Sequence, residues 1–169
     1  MNFIKVLIYK LLKFKIMDIN EVRKLYKTTC ETKEKLEKGF GKKVLSDNIF
    51  DRITSYEDCC AETGEQPIIK AELKKIGFTD DEIGYRILKT ITKAINEGWV
   101  PDMLDTNEKK WVPIFKVDPS SPSGFVFCSS YYYCSGAYAG DTSRLCFESE
   151  ARATFAGKMF IEYYIRFIK

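Results

Sequence analysis

Ser143-Arg144-Leu145-Cys146-Phe147-Glu148-Ser149-Glu150-Ala151 decides the fold, because a short apolar strand here runs into a capped helix. Leu145 and Phe147 alternate with their neighbours as core-facing strand residues do, which sends Cys146 to the other side beside Arg144. Ser149 offers a hydroxyl to the free N–H groups of a first helical turn. Beyond it, Phe155, Ala156, Met159, Phe160, Tyr163, Tyr164, Phe167 and Ile168 recur at helical spacing. That pattern predicts one amphipathic C-terminal helix lying across a sheet.

Upstream of that step, Trp111 to Val117 reads as a strand whose Pro113 belongs at an edge or a bulge. Asp118-Pro119-Ser120-Ser121-Pro122-Ser123-Gly124 is a turn, and Phe125 to Tyr133 is a second strand. A Gly-rich connection over 134–142 leads back to the strand at Ser143–Phe147. Strands joined by turns in this way predict a three-stranded antiparallel meander.

The half before it is helical. Asp18-Ile19-Asn20-Glu21, Thr54-Ser55-Tyr56-Glu57 and Thr79-Asp80-Asp81-Glu82 each have the form of a capping box. The first predicts a helix running to about Gly39, on which Glu21, Glu31, Glu34 and Glu37 interleave with lysines as on a solvated face. The second opens a short helix ending at Gly64, and a helix-prone run from Pro67 to Ile76 follows. The third opens a helix whose Ile83, Ile87, Leu88, Ile91, Ala94 and Ile95 form one apolar stripe ended by Gly98. The expected fold is therefore α+β: N-terminal helices, then a three-stranded antiparallel sheet packed on a C-terminal helix.

Residues 1–16 (MNFIKVLIYKLLKFKI) are apolar and basic. Lys5, Lys10 and Lys13 interrupt the run, which is too short for a transmembrane helix. The segment reads as a tail or an over-extended start ahead of Met17, or as a weak contact with a membrane surface or a partner. The remainder, 17–169, reads as one domain with a helical half, 17–99, and a β-rich half, 100–169.

Composition restricts the chemistry. The chain of 169 residues contains no histidine, so the commonest general base and transition-metal ligand is missing. A net charge of +3 is too mild to mark a nucleic-acid binder by itself. The six cysteines include the vicinal pair Cys59-Cys60 but no Cys-x-x-Cys, so they read as small reduced thiols in place of a zinc ribbon. Asp102, Asp105 and Glu108 share a loop without the pattern of a calcium site. The helix from Thr79 carries Arg86, Lys89 and Lys93, yet its first turn is acidic, which argues against DNA reading. No catalytic motif, metal site or cofactor is expected, and the chain reads as non-enzymatic.

Ligand or partner contact is placed on the sheet and the loop before its last strand. Tyr131 and Tyr133 share a strand face that suits stacking. Tyr138 and Ser143 lie in the Gly-rich loop, whose N–H groups, with Arg144 beyond it, suit a phosphate or carboxylate. The bland alternative for Arg144 is an ion pair with Glu148 or Glu150.

Several motifs carry a resemblance. Ile53-Thr54-Ser55-Tyr56-Glu57-Asp58, Ala94-Ile95-Asn96-Glu97-Gly98-Trp99, Lys110-Trp111-Val112-Pro113-Ile114-Phe115, and Ser143-Arg144-Leu145-Cys146-Phe147 with Ala156-Gly157-Lys158 occur in that order. Together they resemble a family of uncharacterised proteins from tailed phages and prophages of gut Bacteroides-type bacteria. Val112 and Ile114 flank the proline where that family has aromatics, and Asp102 is not followed by tryptophan. The resemblance implies a phage or prophage origin and carries over no functional residues. The function expected is a small binding or interaction module for a protein or nucleic-acid partner in the host cytoplasm; the alternative is a minor virion protein assembling through its aromatic surface.

Overall fold

The computed structural model describes residues 18–28, 30–134 and 144–169. The chain divides into two compact units, Met1–Arg52 and Ile53–Lys169. The first carries helices α1 (Ile19–Thr28), α2 (Cys30–Phe40), α3 (Lys42–Leu45) and α4 (Ile49–Arg52). The single helix expected from Asp18 to Gly39 is thus two. The Tyr26 hydroxyl donates to Glu37 Oε1 at 2.5 Å, whereas one straight helix would hold the two residues roughly 16 Å apart. Helix α2 therefore folds back along α1. The Glu21 half of the first capping box forms, accepting from the Asp18 N–H at 2.9 Å.

The second unit begins with α5 (Tyr56–Thr63), α6 (Lys70–Lys75) and α7 (Asp80–Ile95). Its first cap lies one residue later than predicted. Ser55 accepts from the Asp58 N–H, and Asp58 accepts from both the N–H and hydroxyl of Thr54. A Ser55 cap puts Asp58, not Glu57, at the position that can reach back. At α7 the predicted box is in place, with Glu82 accepting from Thr79 N and Oγ1 at 2.8 and 3.0 Å. All six apolar positions of its stripe are buried, each Ile or Leu contributing about 1.5–3 kcal/mol of transfer free energy. Helix α7 is the centre of the unit: α5 packs on one side of it and α9 (Ile161–Ile168) on another.

Among the described residues the sheet has two antiparallel strands, β1 (Lys110–Val117) and β2 (Phe125–Tyr133), not three. The third expected strand is reduced to one bridge, in which Trp111 and Phe147 exchange both backbone hydrogen bonds, at 3.0 and 2.7 Å. Local chemistry stops that ladder in both directions. The next β1 residue facing this edge is Pro113, which has no N–H to give. On the other side Ser149 is already committed to capping α8 (Glu150–Met159), its hydroxyl accepting from the Arg152 N–H. The proline costs nothing on the β2 side, because alternate residues of an antiparallel strand direct their backbone groups to opposite edges. Register slips between Ile114 and Phe115, which leaves Cys128 as the extra residue of a bulge in β2. The turn closes through Asp118, whose carboxylate accepts from Ser120 N and Oγ.

The C-terminal helix also differs from expectation. It breaks at Phe160, where φ is −116° and ψ is 26°. The break lets one apolar sequence serve two partners: α8 crosses both strands, and α9 turns Tyr164 and Ile165 into the core. Gly157 seats α8 on the hairpin. A Cβ there would lie 2.6 Å from the Phe127 ring and 2.7 Å from Pro113 Cβ. Leu145 and Phe147 are core as expected, but Cys146 is buried with them. A segment held by a single bridge is not bound to strict two-face alternation.

Candidate functional site

The exposed chemistry of the hairpin gathers along β2. Because Trp111 bonds its backbone toward Phe147, its cross-strand neighbour Tyr132 is a non-hydrogen-bonded partner, the closer kind of pair. Their rings accordingly meet at 4.9 Å between centroids. Tyr131 stacks on Tyr132 at 5.9 Å and 17° between planes. It leaves 62% of its surface exposed, and Tyr132 leaves 37%. The Lys109 ammonium stands 4.6 Å over the Tyr132 ring. Further along β2, Lys158 stands over Phe127 at 5.6 Å and Lys169 over Phe125 at 6.0 Å. Cations thus follow the aromatics of β2 along roughly 23 Å of strand.

The predicted site residues are distributed unequally over this surface. Tyr131 is on it. Tyr133 is half-buried and engages Cys146, whose thiol is pushed up by burial and drawn part of the way back by that hydrogen bond and by the Lys110 charge. Arg144 is exposed in a turn three residues ahead of the bridge residue Phe147. Its side chain has no partner among the described residues. The ion pair that Glu148 was expected to make with it goes to Arg152 instead, at 3.6 Å. Tyr138 and Ser143, with the rest of 135–143, lie outside the described residues, as does the apolar basic segment 1–16.

The acids of the 102–108 loop are occupied by the loop itself. Asp102 and Asp105 accept from the N–H groups of Leu104 and Asn107, each at 2.8 Å. Glu108 accepts from the Asp102 N–H at 2.8 Å and pairs with Lys110 at 3.3 Å. Lys110 is only 1% exposed, and its ammonium also donates to the carbonyls of Asp105 and Glu108. No group of three His, Cys, Asp or Glu side chains positioned to hold a metal occurs among the described residues. Among the described cysteines, Cys59, Cys60 and Cys146 are buried free thiols, Cys134 is half-buried and Cys128 is exposed at its bulge. Burial pushes Cys59 up to about 12, which leaves it a poor nucleophile.

Sequence reading passed over Trp111, Tyr132, Lys109 and Lys158, and it missed the buried Lys110. The signal for Lys110 was its two-residue offset from Val112, which places both on one strand face. Its charge obscured that parity, although the acids Asp105 and Glu108 were close enough in sequence to supply a partner.

No protein-family model, no curated protein and no solved structure matches this chain. No helix among the described residues is long and apolar enough to cross a membrane.

Proposed function

We propose that this chain is a non-enzymatic binding module that holds a single-stranded nucleic acid along β2. The observation that carries the reading is the Trp111–Tyr132–Tyr131 ladder, half-buried at Trp111 and exposed at both tyrosines, with lysines over the β2 rings. Stacked aromatics accept any base, at about 1–3 kcal/mol per base, and neighbouring ammoniums track the phosphates. The resemblance of its motifs to phage and prophage proteins supports a phage origin and action in the host cytoplasm.

Fluorescence anisotropy with a mixed-sequence DNA oligonucleotide at several salt concentrations tests this. Neutralisation of about three phosphates by Lys109, Lys158 and Lys169 gives a log–log salt slope of about −2. Tyr131→Ala weakens binding about tenfold while leaving the fold intact, since the ring is mostly in solvent. Absence of binding at low salt, or an unchanged affinity in Tyr131→Ala, refutes the reading.

One observation favours a second reading, self-assembly as a minor virion component. Strand β2 contains no charge and no proline, and its outer edge is unpaired among the described residues. Such an edge lacks most of the devices that keep strands from pairing between molecules. Concentration-dependent oligomers in sedimentation, dispersed by Ser129→Lys at an exposed position of β2, support that reading. A monomer at all concentrations opposes it.

A further inference from the structure

A second, separate surface lies on α7. An open groove of about 370 Å³ is lined by Glu65, Ile68, Arg86, Lys89, Thr90 and Lys93. Arg86, Lys89 and Lys93 fall within an arc of about 60° on the helix. Two features set this face apart from an ordinary solvated one.

The first is its charge order. Lys89 and Lys93 are like charges at i,i+4, and Arg86 and Lys89 are like charges at i,i+3, both unfavourable spacings. The acid one turn before Arg86 is Glu82, which is turned back to cap Thr79. Lys93 sits in the last turn, where the helix dipole favours a cation. Arg86 and Lys89 lie in mid-helix, outside the reach of that effect. Their guanidinium and ammonium rest over the rings of Phe78 and Tyr85, and among the described residues no carboxylate pairs with either.

The second feature is how the one acid of the groove is handled. Glu65 accepts from Lys93 at 2.7 Å and from the Thr90 hydroxyl at 2.6 Å. Those bonds hold its carboxyl below the usual range. Glu65 thus bonds Lys93, also feels the Lys89 charge, and offsets one of the three cations, so the groove keeps an excess of positive charge.

We infer that this groove is a binding site for a small phosphate-bearing anion, with Arg86 and Lys89 as its principal ligands and Ile68 as its apolar wall. The volume is at the lower end for small-molecule sites, which suits a phosphorylated metabolite better than a polymer. None of the first-turn acids of α7 lines the groove: Asp80 is held by Lys74 and Arg166 at 2.9 and 3.2 Å, and Asp81 and Glu82 both bond Thr79.

Inorganic pyrophosphate is the probe, used with the full chain in calorimetric titration and in thermal melts against sodium chloride of equal ionic strength. The wild type is expected to bind saturably and to melt higher in pyrophosphate than in the chloride control. Lys89→Glu is the deciding variant. It turns two like-charge neighbours into attractive i,i+3 and i,i+4 pairs, which offset the new repulsion with Glu65 and the lost Tyr85 contact, so it should melt close to the wild type in low salt. It should also lose the pyrophosphate-induced rise and bind at least about tenfold more weakly. Because the variant is expected to fold as stably as the wild type, lost binding does not reduce to lost folding. Lys116→Gln, at an exposed β1 lysine assigned to neither surface, should bind pyrophosphate as the wild type does. No saturable binding by the wild type, or equal binding by Lys89→Glu, overturns the inference.

Discussion

Gly157→Ala tests how the C-terminal helix is seated on the hairpin. Two opposing effects meet at this position. Alanine is the better helix former by about 1 kcal/mol in a helix interior. The added Cβ, however, would sit 2.6 and 2.8 Å from two Phe127 ring carbons and 2.7 Å from Pro113 Cβ. Carbon atoms pack best at about 3.5–4.0 Å, so the contact is short by about 1 Å on two sides. Phe127 can tilt, but Pro113 is tied to the backbone of β1, so α8 must lift from the sheet. Overpacking costs about 1–3 kcal/mol, and three contacts under 3.0 Å put this one in the upper half, about 2–3 kcal/mol, so the net loss expected after the propensity gain is about 1–2 kcal/mol. In urea denaturation the midpoint should fall with an unchanged slope, and the melting temperature should drop by about 3–6 °C. Gly84→Ala is the matched comparison. Its Cβ would stand 3.1 Å from the Phe167 backbone nitrogen, a tight contact with smaller overlap, so propensity and crowding should cancel to within about 0.5 kcal/mol. A Gly157→Ala protein as stable as the wild type would refute the close seating of α8 on β1 and β2.

Three further outcomes are expected. Lys110→Met keeps the buried stem but strips the ammonium from Glu108 and two loop carbonyls, and denaturant titration should show a loss of about 3 kcal/mol, the lower end for a broken buried pair because Glu108 still reaches water. Tyr164→Phe removes a buried hydroxyl that has no hydrogen-bond partner among the described residues, so stability should hold or rise by about 1 kcal/mol; a loss of that size would show that the hydroxyl is satisfied after all. Glu65 has a folded pKa held below its ordinary value of 4.5 by Lys93 and Thr90; its stabilisation is full above the unfolded pKa and is lost as pH falls through the folded one. The stability gap between wild type and Glu65→Gln should therefore narrow from about pH 6 to pH 3, and a gap that widens on acidification contradicts the assignment.

The elements that local chemistry determines were legible from sequence. Strand β2 has the predicted bounds, and the α7 stripe is buried as its period requires. What failed depended on partners distant in the chain. The third strand shrank to one bridge because Pro113 and Ser149 stop the ladder on either side. The C-terminal helix broke where it serves two packing surfaces, and the N-terminal one folded back so that Tyr26 meets Glu37, neither of which apolar periodicity carries. At the candidate site, Tyr131 was visible as part of an aromatic run. The roles of Trp111 and Lys109 needed the hairpin register, which pairs Trp111 with Tyr132. Arg144 was chosen for its place beside a Gly-rich loop, most of which lies outside the described residues, and it is exposed.

The central claim, a stacking and charge surface along β2, is tested most directly by single-stranded DNA binding measured as a function of salt for the wild type and for Tyr131→Ala. The account predicts measurable binding at low salt, a log–log slope of about −2 and an approximately tenfold weaker Tyr131→Ala complex with the same slope. No binding at low salt, or a Tyr131→Ala protein that binds as tightly as the wild type, contradicts it.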